Sequence, residues 1–250
     1  MKTILAVASL LIFSLAAPAQ STRDLTPVQI EIEKQQERLN SSNAEERRDA
    51  AMRLGVMRLA AASRAALPAL NDASASVRVA AAKSILSIGA EESASALIPL
   101  LSDKDEFVRR EAAYALGLTR SRTATAALSE LLLKDKEDGV RGAAAVALGQ
   151  IADEAAVVPL VEVLKRDRND FVLRAAATAL GQIGSRAGTA ALISTLTNEK
   201  LPTDVRREAA RSLGLIGDAS AEPALRAAAT AADPFLSEIA FQSLKKLKRG

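Results

Sequence analysis

The sequence contains no cysteine and no histidine, and these two absences exclude several kinds of chemistry. Without cysteine there is no disulfide, thiol nucleophile or thiolate metal site, and without histidine there is no imidazole base or ligand. Carboxylates remain as the strong metal ligands, and they favour hard cations. No residue pattern indicates catalysis, so we predict no catalytic residues, no metal site and no cofactor.

Aromatic residues are also scarce, at 2% of 250 residues, and tryptophan is absent. Hydrophobic residues still make up 49% of the chain, so the interior has to be built from alanine, leucine, valine and isoleucine. Small side chains allow helices to pack closely, which favours an all-α protein. The 33 basic and 30 acidic residues nearly cancel, and a balance this even does not indicate a nucleic-acid partner.

Residues 1–19 have the pattern of a secretory signal peptide. Lys2 precedes an apolar segment from Ile4 to Leu15, and the small residues at positions 17–19 form a cleavage site. The apolar segment is shorter than the roughly 20 residues needed to span a bilayer. We therefore predict a domain of residues 20–250 that is exported to the periplasm or secreted, with an uncleaved membrane anchor as the alternative.

The rest of the chain consists of a repeated motif. Its clearest copy, Phe107 to Gly117, reads FVRREAAYALG, and later copies read GVRGAAAVALG, FVLRAAATALG and DVRREAARSLG. The copies follow one another every 31 to 33 residues, and a fixed period of this length indicates a repeat protein. Counted from the valine as position 0, apolar residues fall at 0, +4, +5 and +8, which is one face of a helix.

An apolar segment precedes each copy of the motif, so each unit is predicted to contain two helices. Proline is expected inside three of the first helices, where it would bend them, at Pro68, Pro99 and Pro159. The predicted fold is an all-α α-solenoid of about seven helical pairs after the signal peptide. The predicted units are roughly 26–58, 59–89, 90–120, 121–152, 153–184, 185–217 and 218–250.

The motif V-R-x-x-A-A-x-x-L-G after a proline-containing apolar helix resembles HEAT repeats, in particular the short repeats named after phycobilisome lyases. The resemblance covers roughly residues 26–248. It implies a structural ladder in which an aspartate pairs with the arginine six residues later: Asp72 with Arg78, Asp103 with Arg109, and Asp135 with Arg141. The ladder is expected to weaken where Asp167 faces Leu173 and where Lys200 takes the aspartate position.

The resemblance also implies that the second helix of each pair lines a concave surface. Positions +2, +6 and +10 would then face a partner, and arginine and tyrosine are common at interfaces. The candidate partner-binding residues are Arg110, Tyr114, Gln150, Arg174, Gln182, Arg207 and Arg211.

The predicted function is a non-catalytic, exported scaffold that binds another protein or peptide of the cell envelope through this surface. One alternative is an anionic ligand or a cell-surface polyanion held by the concave arginines. The remaining alternative is an enzyme like the HEAT lyases or hydroxylases, which the absence of histidine and cysteine disfavours. The basic end of the chain, from Lys245 to Arg249, is expected to form a solvated capping helix, with a polyanion or membrane patch as the alternative.

Overall fold

The structure is a computed structural model that describes residues 25–247, so the predicted signal peptide lies outside the described residues. Within that range the chain forms fourteen α-helices and no strand, which confirms the all-α prediction. The helices are α1 Pro27–Arg38, α2 Ala44–Val56, α3 Ala60–Ala66, α4 Ala75–Ser84, α5 Ala90–Leu97, α6 Glu106–Thr119, α7 Thr125–Lys134, α8 Asp138–Ile151, α9 Val157–Arg166, α10 Asp170–Ile183, α11 Thr189–Thr197, α12 Thr203–Ile216, α13 Glu222–Ala228 and α14 Pro234–Leu247.

Each odd-numbered helix and the even-numbered helix after it form one unit, which gives seven units. Consecutive even-numbered helices pack side by side, and each also packs on the first helix of its own unit. The buried face follows the predicted period, since α6 buries Val108, Ala112, Ala113 and Leu116. One continuous apolar core therefore runs through the stack, as expected of an α-solenoid.

The helix starts are marked by the side chains that the sequence suggests. Thr26 and Gln29 form a capping box, in which the Gln29 amide donates to Thr26 Oγ1 and the Thr26 amide donates to Gln29 Oε1. Asp105 accepts from the amides of Phe107 and Val108 at the start of α6. These caps satisfy amides that have no partner inside the helix.

The prolines of the first helices lie elsewhere than predicted. Pro68 and Pro99 do not bend an α-helix, because the helix ends before them and a short 3-10 segment begins, Leu67–Asn71 and Ile98–Ser102. Pro159 stands in the first turn of α9, where its missing amide costs no helical hydrogen bond. Proline thus sets the end or the start of a first helix.

A glycine near the end of five of the seven motif copies brings neighbouring helices together, whereas α4 has Leu86 at this position and α14 has Lys245. A Cβ added at Gly117 would lie 2.8 Å from the Cα of Ala147 in the next even-numbered helix. The helix does not turn at this glycine but continues to Thr119, and Arg120 with positive φ ends it. The glycine therefore serves the contact between units. Equivalent glycines are Gly55, Gly149, Gly181 and Gly214.

The two rows of helices differ in how closely their members approach. Even-numbered helices pack directly on one another, at most junctions through glycine against alanine or serine, whereas successive odd-numbered helices touch much less extensively. A stack curves toward its more closely packed row. The exposed side of the even-numbered helices is therefore the concave face, and that of the odd-numbered helices is the convex face.

In the last helix, α14, the motif changes on the face that the other even-numbered helices use to contact the next unit. Position +5, which is alanine in every other even-numbered helix, is Phe241, and position +9 is Lys245 in place of glycine. Phe241 is 47% exposed, and the Lys245 ammonium lies 4.2 Å from its ring centroid. A neighbouring helix could not approach α14 as closely as the other even-numbered helices approach one another.

Candidate functional site

Arg110 and Tyr114 lie on the concave side of α6. Both are half-buried, and Tyr114 packs against the apolar core. The Arg110 guanidinium carbon lies 4.9 Å from the centroid of the Phe107 ring in the same helix. Among residues 25–247 no carboxylate oxygen comes within 4.0 Å of the Arg110 guanidinium. Arg110 is therefore a cation that lies against an aromatic ring and that no described residue neutralises.

The two candidate glutamines fill gaps that glycines leave in the preceding helix. Gln150 Oε1 would be 2.3 Å from a Cβ added at Gly117, and Gln182 Oε1 would be 2.2 Å from one added at Gly149. Gln182 is exposed, whereas Gln150 is half-buried and its Oε1 has no hydrogen-bond partner. Both side chains thus belong to the contact between units as well as to the concave face.

The three remaining candidates are arginines that already bind carboxylates. Arg174 Nη1 lies 3.2 Å from Asp204 Oδ2, and Arg211 Nε lies 3.4 Å from Glu208 Oε2. Arg207 donates to both oxygens of Asp233, and its guanidinium also lies over the ring of Phe235. These arginines are neutralised within the chain, which weakens the alternative of a polyanion bound along the concave face.

A ladder of ion pairs joins the first five units. Each arginine donates from Nε and Nη2 to the two carboxylate oxygens of an aspartate in the next unit, at 2.6–3.1 Å. Both side chains of each pair are largely buried. The pairs are Arg47 with Asp72, Arg78 with Asp103, Arg109 with Asp135, and Arg141 with Asp167.

This geometry corrects the predicted pairing of Asp72 with Arg78, Asp103 with Arg109, and Asp135 with Arg141. Arg78 reaches Asp72 only through the main-chain oxygen, to which its Nη1 donates at 2.8 Å, while its carboxylate partner is Asp103. Arg109 and Arg141 repeat the arrangement. Each ladder arginine therefore joins two consecutive units, whereas the prediction had it closing a turn within one unit.

The ladder is absent between the fifth and sixth units. Leu173 occupies the arginine position and is 2% exposed. The aspartate position is held by Asn198 and not by Lys200 as predicted. Asn198 Oδ1 accepts from the amide two residues later, just as Asp167 Oδ1 accepts from the amide of Asn169. A buried leucine and a neutral amide thus replace both charges, and two extra residues follow in the turn.

The ladder carboxylates are held in their ionised form. The hydrogen bond from Arg47 is the main reason that the pKa of Asp72 is lowered. Burial alone would raise the pKa of Asp103, Asp135 and Asp167, but hydrogen bonds from the facing arginine and from a main-chain amide outweigh it, and the pKa of each is lowered.

Sequence reasoning missed three exposed phenylalanines at the start of even-numbered helices. Phe107, Phe171 and Phe235 are 52%, 40% and 68% exposed and follow one another every second unit. Phe171 packs over Gly142 of the preceding helix, where a Cβ would be 2.0 Å from its ring. What could have indicated them is an apolar residue at position −1, which is not one of the buried helix positions, in a chain with very few aromatic residues.

Phe107 also lines a groove of about 550 Å³ on the concave face between α2, α4 and α6. Met52 and Val79 contribute further apolar surface, and Arg48, Lys83 and Arg110 stand around it. Within residues 25–247 no group of acidic side chains is arranged to hold a metal ion, and no helix has the length and apolar character to cross a membrane. The concave face is thus a surface with an apolar groove and mostly paired charges.

Comparison with solved structures shows related stacks. YibA from Escherichia coli is 24% identical over 89% of this chain and 82% of that chain, with a TM-score of 0.65. The complex of CpcE and CpcF of phycocyanin lyase from Nostoc is 27% identical over 94% and 95%, with a TM-score of 0.55. An engineered protein is 24% identical over 88% and 68%, with a TM-score of 0.57. None of the curated proteins matches the chain.

Seven stacked helical pairs and an inter-unit ladder define the class of α-solenoid repeat proteins. The sequence matches HEAT repeats over residues 32–117, 63–149, 94–181 and 126–203, and the PBS lyase HEAT-like repeat over 205–230. The chain therefore belongs to the HEAT repeat family, as the motif predicted.

Proposed function

We propose that the protein is a non-catalytic, exported scaffold that binds another protein of the cell envelope through its concave face. The observation that carries the proposal is the concave face itself, where an apolar groove lies beside the half-buried Arg110, which has no carboxylate partner among residues 25–247, on a closely packed row of helices. Rigid surfaces that present exposed aromatic and arginine side chains are suited to protein recognition. Export is supported by the signal-peptide pattern of residues 1–19.

Two other functions have less support. A polyanion would need free cations, but Arg174, Arg207 and Arg211 are bound to carboxylates. The structural likeness to a phycocyanin lyase complex leaves an enzymatic role as an alternative, yet this chain has neither cysteine nor histidine for covalent or acid–base steps. The described acidic side chains serve helix caps and ion pairs or lie on the surface.

Affinity capture tests the binding proposal with variants matched in charge. The full chain would be compared with a concave variant, Arg110→Glu with Arg211→Glu, and a convex variant, Arg122→Glu with Lys165→Glu. All four side chains are on the surface, and circular dichroism would verify that each variant folds. We expect envelope proteins captured by the wild type and the convex variant to be lost from the concave variant. Loss from the convex variant alone would refute the concave assignment.

Cell fractionation tests the export proposal separately. We expect the chain in the periplasm or the medium with Gln20 as its first residue, because cleavage should follow Ala19. A membrane-bound product that retains Met1 would support the anchor alternative instead. Cytoplasmic protein that retains Met1 would refute both.

A further inference from the structure

We propose that the groove between α2, α4 and α6 binds a short segment of a partner protein in which an apolar side chain stands close to an acidic one. This inference rests on the proposed function and makes it more specific. It assigns the apolar side chain to the groove and the carboxylate to Arg110.

The groove supplies the apolar half of the site. Its volume of about 550 Å³ can receive one large side chain, and its walls include Val79 together with Met52 and Phe107, each 52% exposed. Exposed large apolar side chains that converge on one depression are a common mark of a binding surface. A leucine, methionine or phenylalanine of the partner would cover apolar surface that the chain leaves in water.

Arg110 supplies the charged half. The other cations around the groove are neutralised within the chain, Arg48 by Glu45 at 2.8 Å and Lys83 by Glu111 at 3.4 Å. Arg110 has no such partner among the described residues and lies against Phe107 at the edge of the groove. A guanidinium on an aromatic ring has few conformations to lose, and it can donate two parallel hydrogen bonds to a carboxylate.

A glycine in the next helix explains why Arg110 is uncovered. At the three junctions that follow α8, α10 and α12, the residue at position −1 covers the residue at +2 of the preceding helix. Asp204 pairs with Arg174, and Phe235 lies under Arg207. Opposite Arg110 this position is Gly139, and the nearest atoms to a Cβ added there belong to Arg110 itself, at 3.9 Å. The chain thus leaves open the place that a carboxylate of a partner would fill.

Gly139→Asp is the most direct test, because it would provide that carboxylate from within the chain. The site has room for the side chain, and an acidic residue in the first turn of α8 favours the helix. Gly139→Asn is the matched neutral control. The groove itself is tested by Phe107→Ala, Arg211→Glu tests the concave face away from the groove, and Lys165→Glu on the convex face is the charge-reversal control.

A random-peptide library displayed on phage would be selected against the immobilised full chain. We expect enrichment of peptides with aspartate or glutamate within a few residues of leucine, methionine or phenylalanine. A synthetic consensus peptide should bind about tenfold or more weakly to Phe107→Ala and Gly139→Asp, and nearly unchanged to Gly139→Asn and Lys165→Glu. Selection against Arg110→Glu should exchange the acidic residue for lysine or arginine.

The remaining outcomes would overturn the inference. Enrichment without an acidic residue, no enrichment at all, or equal binding to Gly139→Asp and Gly139→Asn would each do so. Peptides that lose binding to Arg211→Glu but not to Phe107→Ala would refute this groove and leave the concave scaffold standing. Sedimentation of the full chain as a dimer that Phe107→Ala dissociates would assign the groove to a second copy instead.

Discussion

The junctions among the first five units differ in chemistry from the junction between the fifth and sixth units, although equivalent helices meet at both. At the former, a buried arginine bridges to an aspartate of the next unit, as Arg109 does to Asp135. At the latter, the buried Leu173 stands at the arginine position and the neutral Asn198 at the aspartate position. The packing of glycine against the next helix is common to both, since Gly181 approaches Ser212 as Gly55 approaches Ser84.

The comparison shows that close helix packing forms the solenoid with or without the ladder. A buried ion pair loses hydration energy on folding, so it adds less stability than its geometry suggests. It does fix the relative orientation of two units, because a guanidinium and a carboxylate form two parallel hydrogen bonds in only one arrangement. The family matches change inside the sixth unit, with HEAT repeats up to residue 203 and the PBS lyase HEAT-like repeat from residue 205.

Breaking one ladder pair should give the largest effect. Arg109→Met leaves the Asp135 carboxylate buried without its partner and removes the hydrogen bond to the Asp103 main chain. We expect a loss in the free energy of unfolding near the low end of the roughly 3–5 kcal/mol reported for broken buried pairs. Urea unfolding followed by circular dichroism measures it.

The matched control is Arg174→Met, which removes an arginine from an exposed pair on the next but one even-numbered helix. Its expected cost is only about 0.2–1 kcal/mol, because water replaces the lost partner. Equal losses in the two variants would mean that burial does not distinguish the ladder from the surface pairs.

Installing a ladder pair at the fifth junction should give an intermediate effect. Leu173→Arg alone places an unpaired guanidinium among apolar residues and should destabilise the fold by about 1–3 kcal/mol. Adding Asn198→Asp should recover part of that loss, with a coupling energy of about 0.5–3 kcal/mol in a double-mutant cycle.

Leu173→Met is the control for packing at this site, with an expected cost below about 1.5 kcal/mol. A coupling energy near zero would show that the two extra residues after Asn198 have moved the turn out of reach of position 173.

The unmodified chain should show a smaller difference along its length. We expect the amides of α12 and α14 to exchange with solvent at lower urea concentrations than those of α6 and α8, because the junction before α12 has no ladder pair. Hydrogen exchange followed by mass spectrometry would resolve the two regions. Uniform protection across both would contradict a weaker fifth junction.

Acid should reduce the contrast between the junctions. The folded pKa of each ladder aspartate lies below the ordinary value of 3.8, so its stabilising effect is present above that pH and is lost as the pH falls through the lowered pKa. The stability deficit of Arg109→Met with Asp135→Asn should therefore shrink below about pH 4. A deficit that stays constant between neutral pH and pH 3 would contradict this.

The sequence predicted the units and the buried positions because burial repeats with the helical period. It did not predict the carboxylate partner of Arg78. Asp72 is only six residues from Arg78 along the chain, but the Arg78 guanidinium meets the carboxylate of Asp103 in the next unit. The displacement from one unit to the next decides this, and no local sequence pattern contains it. Asn198 was missed for a related reason, since the extra residues after it shift the apparent frame to Lys200.

The candidate site was predicted only in outline. Position counting placed Arg110 on the concave face, but whether an arginine is free depends on the residue at −1 of the next unit. Gly139 leaves Arg110 open, whereas Asp204 neutralises Arg174. The sequence did not predict that Phe107 is exposed either, because the helical period of the buried positions says nothing about a residue that lies outside it.

The glycine contact described for Gly117 and Ala147 has a consequence for how such a chain can change in length. Every even-numbered helix from α2 to α12 except α4, which has Leu86 at this position, offers the same glycine to the next unit, and an alanine or serine of that unit meets it. Duplication of the third or the fourth unit, which carry both ladder partners and both members of the glycine–alanine contact, would therefore recreate a junction of the kind already present. The reach of the concave wall can change by gene-segment duplication without redesign of any contact, whereas an exchange at Leu173 and Asn198 would require both partners to change.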